Sequence, residues 1–83
     1  MEDEKLYQTA RDFVKRYDVE VSDHIIDIIV SVMRTRDGIH PMGGSFVQAI
    51  VNNDLYDAVS RGDNDCIKNL KIIAIARRNC YVN

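Results

Sequence analysis

The stretch His40-Pro41-Met42-Gly43-Gly44-Ser45-Phe46-Val47-Gln48 places the first hard limit on the fold. A proline and two adjacent glycines do not continue a helix, so one element must stop before them and another must start after them. Ser45, with Gln48 three residues on, has the pattern of an N-cap and capping box. The free N–H groups of such a start, behind glycines that let backbone approach a ligand closely, also suit an anion. At this level both readings stand.

Helical periodicity fills the chain on either side of the break. Leu6, Ala10, Phe13, Val14 and Tyr17 form one apolar stripe and predict a helix from about Glu4 to Tyr17. A second helix is expected to begin at Ser22, with Val21 and Ile26 as a hydrophobic staple and Ile25, Ile26, Ile28, Ile29, Val30, Val32 and Met33 inside. The β-branched residues make a strand the rival for Ile25–Val32; length and the cap favour helix. Arg34 and Arg36 suit its C-terminal end, and Gly38 can take the left-handed stop. A third helix is expected over Ser45 to about Ser60, burying Val47, Ile50, Val51, Leu55, Ala58 and Val59. After Arg61-Gly62-Asp63, with Asp63 as cap, a fourth is expected from Asn64 to about Asn79, carrying Ile67, Leu70, Ile73, Ala74 and Ala76. So short a connection predicts that helices three and four pack as an antiparallel hairpin. The expected fold is all-α: a small bundle of about four helices with a C-terminal helical hairpin, in one domain spanning 1–83.

With 83 residues the chain buries only a modest core alone, and domains of this size often gain stability by oligomerising. An apolar content of 46% argues against wholesale disorder. A net charge of −2 argues against a general DNA- or RNA-coating protein, but not against a small anion held by a few cations. Cys66 and Cys80 are too few for a disulfide scaffold; they read as reduced thiols, with a single disulfide as the minor alternative. The acidic N-terminus is unlike a signal peptide, and no apolar run approaches the roughly 18 residues that span a membrane. A soluble, intracellular protein is expected.

Few residues suggest chemistry. Asn52-Asn53-Asp54 are poor helix formers placed mid-helix, which suits either a solvated face or polar contacts to a ligand or partner. Lys68, Lys71 and Arg78, with Arg77 alongside, form a basic stripe that is either solvated or holds phosphates, for which arginine's planar fork is better shaped. Arg61 is a separate cation that could instead pair with Asp63 or Asp65. Tyr7, Tyr17, Phe46, Tyr56 and Tyr81 could stack on a purine, although Tyr17 and Phe46 fit the core and Tyr7 a partly exposed position. His24, His40, Cys66 and Cys80 match no compact ligand spacing, so neither metal nor cofactor is expected. No nucleophile has a nearby base, which argues against an enzyme.

The segment from Pro41 to Leu55, with Ala58-Val59-Ser60-Arg61-Gly62-Asp63 and Asn69-Leu70 beyond it, resembles a widespread family of small phage proteins. Their pattern runs Pro, Gly, Ser, Phe, then Ala, Asn-Asp-Leu, Ala, Arg and Asp. Within that group the chain is similar to the type-2 anti-CBASS proteins, cyclic-nucleotide sponges. Where that pattern often has a second proline or another residue, this chain has Met42 and Gly43. The resemblance implies a small helical protein, assembled as a homo-hexamer in the cytoplasm of the infected bacterial host. It would sequester cyclic di- and trinucleotides without cleaving them, and bind neither DNA nor membrane. It places the Gly43-Gly44-Ser45 corner near phosphate, and Tyr7 or Phe46 near a base between subunits. Asn53, Arg61, Arg77 and Arg78 complete the expected ligand-binding set. A small helical inhibitor or adaptor acting on a host protein is the alternative. A helix-turn-helix DNA-binding domain is a third, weakened by the lack of positive charge.

Overall fold

The computed structural model describes residues 2–82, the side chain of Glu2 excepted. It is all-helical, with α1 over Glu2–Arg16, α2 over Asp23–Arg36, α3 over Ser45–Val51, α4 over Leu55–Arg61, α5 over Asn64–Lys68 and α6 over Leu70–Asn79. No helix among the described residues is long and apolar enough to cross a membrane. The central element is α2, which packs against α1, α3 and α6. Ile25, Ile26, Ile29, Val30, Val32 and Met33 are all buried along it. That burial resolves the helix-or-strand ambiguity: three neighbours surround a helix on most of its circumference, and tertiary packing outweighs β-propensity. Ser22 caps α2 as expected, its hydroxyl accepting the Ile25 N–H at 3.3 Å.

The expected third helix is two helices. Asn53 takes φ +60°, the Asn53 N–H bonds the Ile50 carbonyl at 3.1 Å and the Asp54 N–H the Ala49 carbonyl at 2.8 Å. This is a Schellman ending with asparagine in the left-handed position. Asp54 then caps α4, accepting the Asp57 N–H at 3.1 Å. The Asn-Asn-Asp run is therefore a stop followed by a start. Its effect on burial is large: α4 turns away from the expected stripe, so Ala58 is buried while Leu55 and Val59 are 68% and 48% exposed. Because β-branched residues pay most for φ > 0, Asn53→Val should cost about 1–2 kcal/mol and Asn53→Gly little, read as shifts in the urea midpoint.

The same bond pattern ends α1 at Asp18, φ +56°, and α2 at Gly38, φ +72°. Gly38 was expected from its residue type; Asp18 carried no such signal. The expected fourth helix also divides. Asn69 ends α5 and begins α6, its side-chain amide donating to the Asp65 carbonyl at 2.8 Å. Asp63 caps α5 as expected, accepting the Cys66 N–H at 2.8 Å. The buried face of α6 is Ile72, Ile73 and Ala76, while Ile67 and Ala74 are exposed. Tyr17, expected in the core, is 44% exposed, although its ring meets Phe13 at a centroid distance of 4.8 Å. Cys66 and Cys80 are both free and buried, which removes the disulfide alternative.

Candidate functional site

The Pro-Gly-Gly corner is built differently from its expected capping box. The cap of α3 is Gly44, with no side-chain bond, and Ser45 is the first helical residue. Gln48 donates to the Gly43 carbonyl at 2.9 Å instead of reaching the cap N–H. The Gly43 N–H is already used by the Thr35 hydroxyl at 2.8 Å. Gly43 is required for another reason: a Cβ there would lie 2.5 Å from Val47 Cγ1 and 2.6 Å from Ser31 Oγ. The glycine thus lets the loop pass over α2 and α3. With no cap to lose, Ser45→Ala should change stability by less than about 0.5 kcal/mol in thermal unfolding, well under the roughly 1 kcal/mol of a true cap.

The remaining expected residues fall into two groups. Tyr7 is half-buried on α1, where hydrogen bonding to Asp27 and then burial push its phenol above the ordinary range; the Arg11 guanidinium lies 5.9 Å from its ring centre. Phe46 is buried in the core. Arg61 lies 4.0 Å from Asp57, one turn back on its own helix, and not beside the expected Asp63 or Asp65. Asn53, Arg77 and Arg78, by contrast, come together around a cleft of about 540 Å³, with Arg36 and Tyr81 as its other walls. A smaller, more enclosed apolar groove of about 190 Å³ adjoins it, bordered by the same three residues together with Leu55 and Leu70.

The cleft exists because three helices end beside it, and helix ends leave carbonyls in need of donors. Arg36, at the end of α2, donates from Nη1 to the carbonyls of Ala76 at 3.3 Å, Arg77 at 3.1 Å and Cys80 at 2.8 Å. Its Nε and Nη2 grip the two Asp37 oxygens at 2.9 and 3.0 Å. Burial opposes the charge on Arg36, but the bond and charge of Asp37 outweigh it and raise the guanidinium pKa. The Arg36 bond in turn holds the Asp37 carboxyl below its usual range. Tyr81 lies under the Arg36 guanidinium at 4.0 Å, a cation–π contact that fixes the ring at the cleft wall. Arg77 donates its Nε to the Val51 carbonyl at 2.8 Å, closing the end of α3. Arg78 is exposed, and no described residue pairs with its guanidinium. The cleft therefore offers Arg78, the outer nitrogens of Arg77, the Asn53 side chain and one tyrosine ring.

Neither Arg36 nor Tyr81 stood in the expected ligand-binding set. Tyr81 belonged to the aromatics able to stack, but Arg36 read only as a cation suiting the end of α2, since its partners lie far along the chain. A larger groove of about 560 Å³ between α1 and α2 is lined by Arg11, Lys15, Asp18, Glu20 and Asp23 among others. Its charges are of both signs, and it lacks the cationic excess an anion needs.

Depressed carboxyls set an acid limit. Asp37 is lowered by Arg36, and Asp63 by the Cys66 N–H, then by the Cys66 side chain and His24. Each is more acidic folded than unfolded, so each stabilises the fold above about pH 4 and ceases to do so as pH falls through its folded value. Unfolding followed from pH 6 to pH 2 should show stability falling below about pH 4, with a shallower fall in Asp37→Asn.

No protein-family model matches the chain, and no curated protein or solved structure matches it either.

Proposed function

We propose that this chain is a phage-encoded sponge for cyclic oligonucleotide messengers, holding cyclic di- and trinucleotides without cleaving them in the cytoplasm of the infected host. The observation that carries the reading is the convergence of Asn53, Arg77 and Arg78 with a tyrosine face on one cleft. Arginine forks match pairs of phosphate oxygens, an amide reads a base edge, and a ring held flat by a guanidinium gives a base somewhere to stack. A cyclic dinucleotide brings two phosphates close together, so two arginines at one cleft suffice and a net charge of −2 is no obstacle.

Leu55, Tyr56 and Val59 support the oligomeric part of the reading. They are 68%, 79% and 48% exposed on one short helix, an apolar face that a second subunit could cover. Leu55 borders the groove beside Asn53 and Arg77, so subunits meeting through α4 would also wall the cleft, and a hexamer is the assembly the resemblance implies. Calorimetry with cyclic di- and trinucleotides tests the proposal, beside a mass measurement in solution. Micromolar binding by an oligomer, with the nucleotide recovered intact after heat denaturation, is the expected result. A folded oligomer that binds none of them ends the proposal.

The same exposed α4 face favours a second reading, an inhibitor or adaptor that covers a host protein. Capture of one host protein at a fixed ratio, unaffected by nucleotide and lost in Leu55→Asp, would select it.

A further inference from the structure

We propose that His24, Asp63 and Cys66 form a binding site for a zinc-class divalent metal ion, separate from the cleft and sharing no residue with it. The ligand atoms His24 nitrogen, Asp63 oxygen and Cys66 Sγ all lie within 4.8 Å of one another, and His24 Nε2 is 3.1 Å from Asp63 Oδ2. Zinc bond lengths of about 2.0–2.3 Å put neighbouring tetrahedral ligands about 3.3–3.8 Å apart, so closure needs a contraction of about 1 Å. The part that must move is free to do so, since the His24 side chain is 48% exposed. The parts that must stay are held. Asp63 Oδ1 accepts the Cys66 N–H at 2.8 Å, which fixes the carboxylate and leaves Oδ2 facing His24. Ser22 donates to Asp65 at 3.0 Å and ties the start of α2 to the start of α5. Such supporting bonds are what orient metal ligands.

One imidazole, one thiolate and one carboxylate are a borderline-soft set, suited to zinc over magnesium or calcium. The exposed side leaves a fourth position for water. Without metal, burial and then the bond to Asp63 push the Cys66 thiol up to about 11, so it is protonated and no activated nucleophile. On binding, Cys66 Sγ forms the metal–sulfur bond, its proton goes to the buffer, and a metal-bound water leaves. Sequence spacing gave no sign of this, because His24 and the Asp63–Cys66 pair lie in different halves of the chain.

Cobalt(II) titration of the full chain under reducing conditions, followed by displacement with zinc, tests the site. The expected result is one equivalent bound with a thiolate-to-cobalt charge-transfer band. The band is expected to vanish in Cys66→Ser and to persist in Cys80→Ser, whose thiol sits elsewhere against Met33. His24→Asn, on the surface, should retain the wild-type circular dichroism and lose more than about tenfold in affinity. Absence of the band in the wild type, or its survival in Cys66→Ser, overturns the assignment. Should Cys66→Ser not fold, unchanged affinity in His24→Asn overturns it alone.

Discussion

Replacing Arg36 with alanine should destabilise the protein by about 3 kcal/mol, the largest loss expected from any single surface-reaching side chain. Its side chain is only 11% exposed, and its guanidinium serves three carbonyls of the α6 end and both oxygens of Asp37. Hydrogen bonds from a charged donor each contribute about 1.5–3 kcal/mol, and truncation leaves the half-buried carbonyls short of a partner. Those bonds share one group and do not add, which is why the expected total is near one strong bond plus a desolvation penalty. For a chain of this length the loss should lower the melting temperature by about 12–24 °C. Arg36→Lys should recover less than half of it, because an ammonium cannot grip a carboxylate with two parallel bonds and reach three carbonyls together. If Arg36→Ala melts within about 3 °C of wild type, the guanidinium is not what joins α2 to α6.

Arg78→Ala should weaken the proposed cyclic-nucleotide binding by roughly 10–100-fold while leaving the unfolding midpoint unchanged. The two effects separate because Arg78 is exposed and bonded to no described residue, so its whole value lies in what it can hold. Arg77 gives the contrast. Its Nε closes the end of α3 through the Val51 carbonyl, so Arg77→Ala should lose both the proposed affinity and about 1.5–3 kcal/mol of stability. Calorimetry and urea unfolding on the same preparations give the two numbers. An Arg78→Ala variant that binds as tightly as wild type would overturn the proposed phosphate contact at this cleft.

These two arginines show what the sequence could and could not tell. The helix type of almost every segment was legible, because apolar spacing and the caps Ser22 and Asp63 act locally. The breaks at Asn53 and Asn69 were not. Asparagine is merely weak inside a helix, and whether it continues or stops depends on which carbonyls its neighbours reach. That one error misplaced Leu55 and Val59, since a helix that restarts in a new direction presents a new face. The candidate site was legible in the same uneven way. Residue type points to Asn53, Arg77 and Arg78, which meet at one cleft, whereas Ser45 suits a cap position that Gly44 occupies instead. Arg36 reads from sequence only as a helix-end cation, because its further role consists of contacts with α6 that nothing near position 36 announces.

The bonds from Arg36 to the end of α6 also govern how this region can open. The Cys80 N–H bonds the Ala76 carbonyl at 3.0 Å, and that same carbonyl takes a bond from Arg36. Fraying of the last turn must therefore break a contact to a second, fully packed helix. Amide exchange at Cys80 should be slow and close to the global limit, unlike that of an ordinary helix terminus. The Arg36 wall of the cleft then opens together with the core, so the proposed ligand would meet a pre-shaped surface on that side and owe little ordering entropy for it.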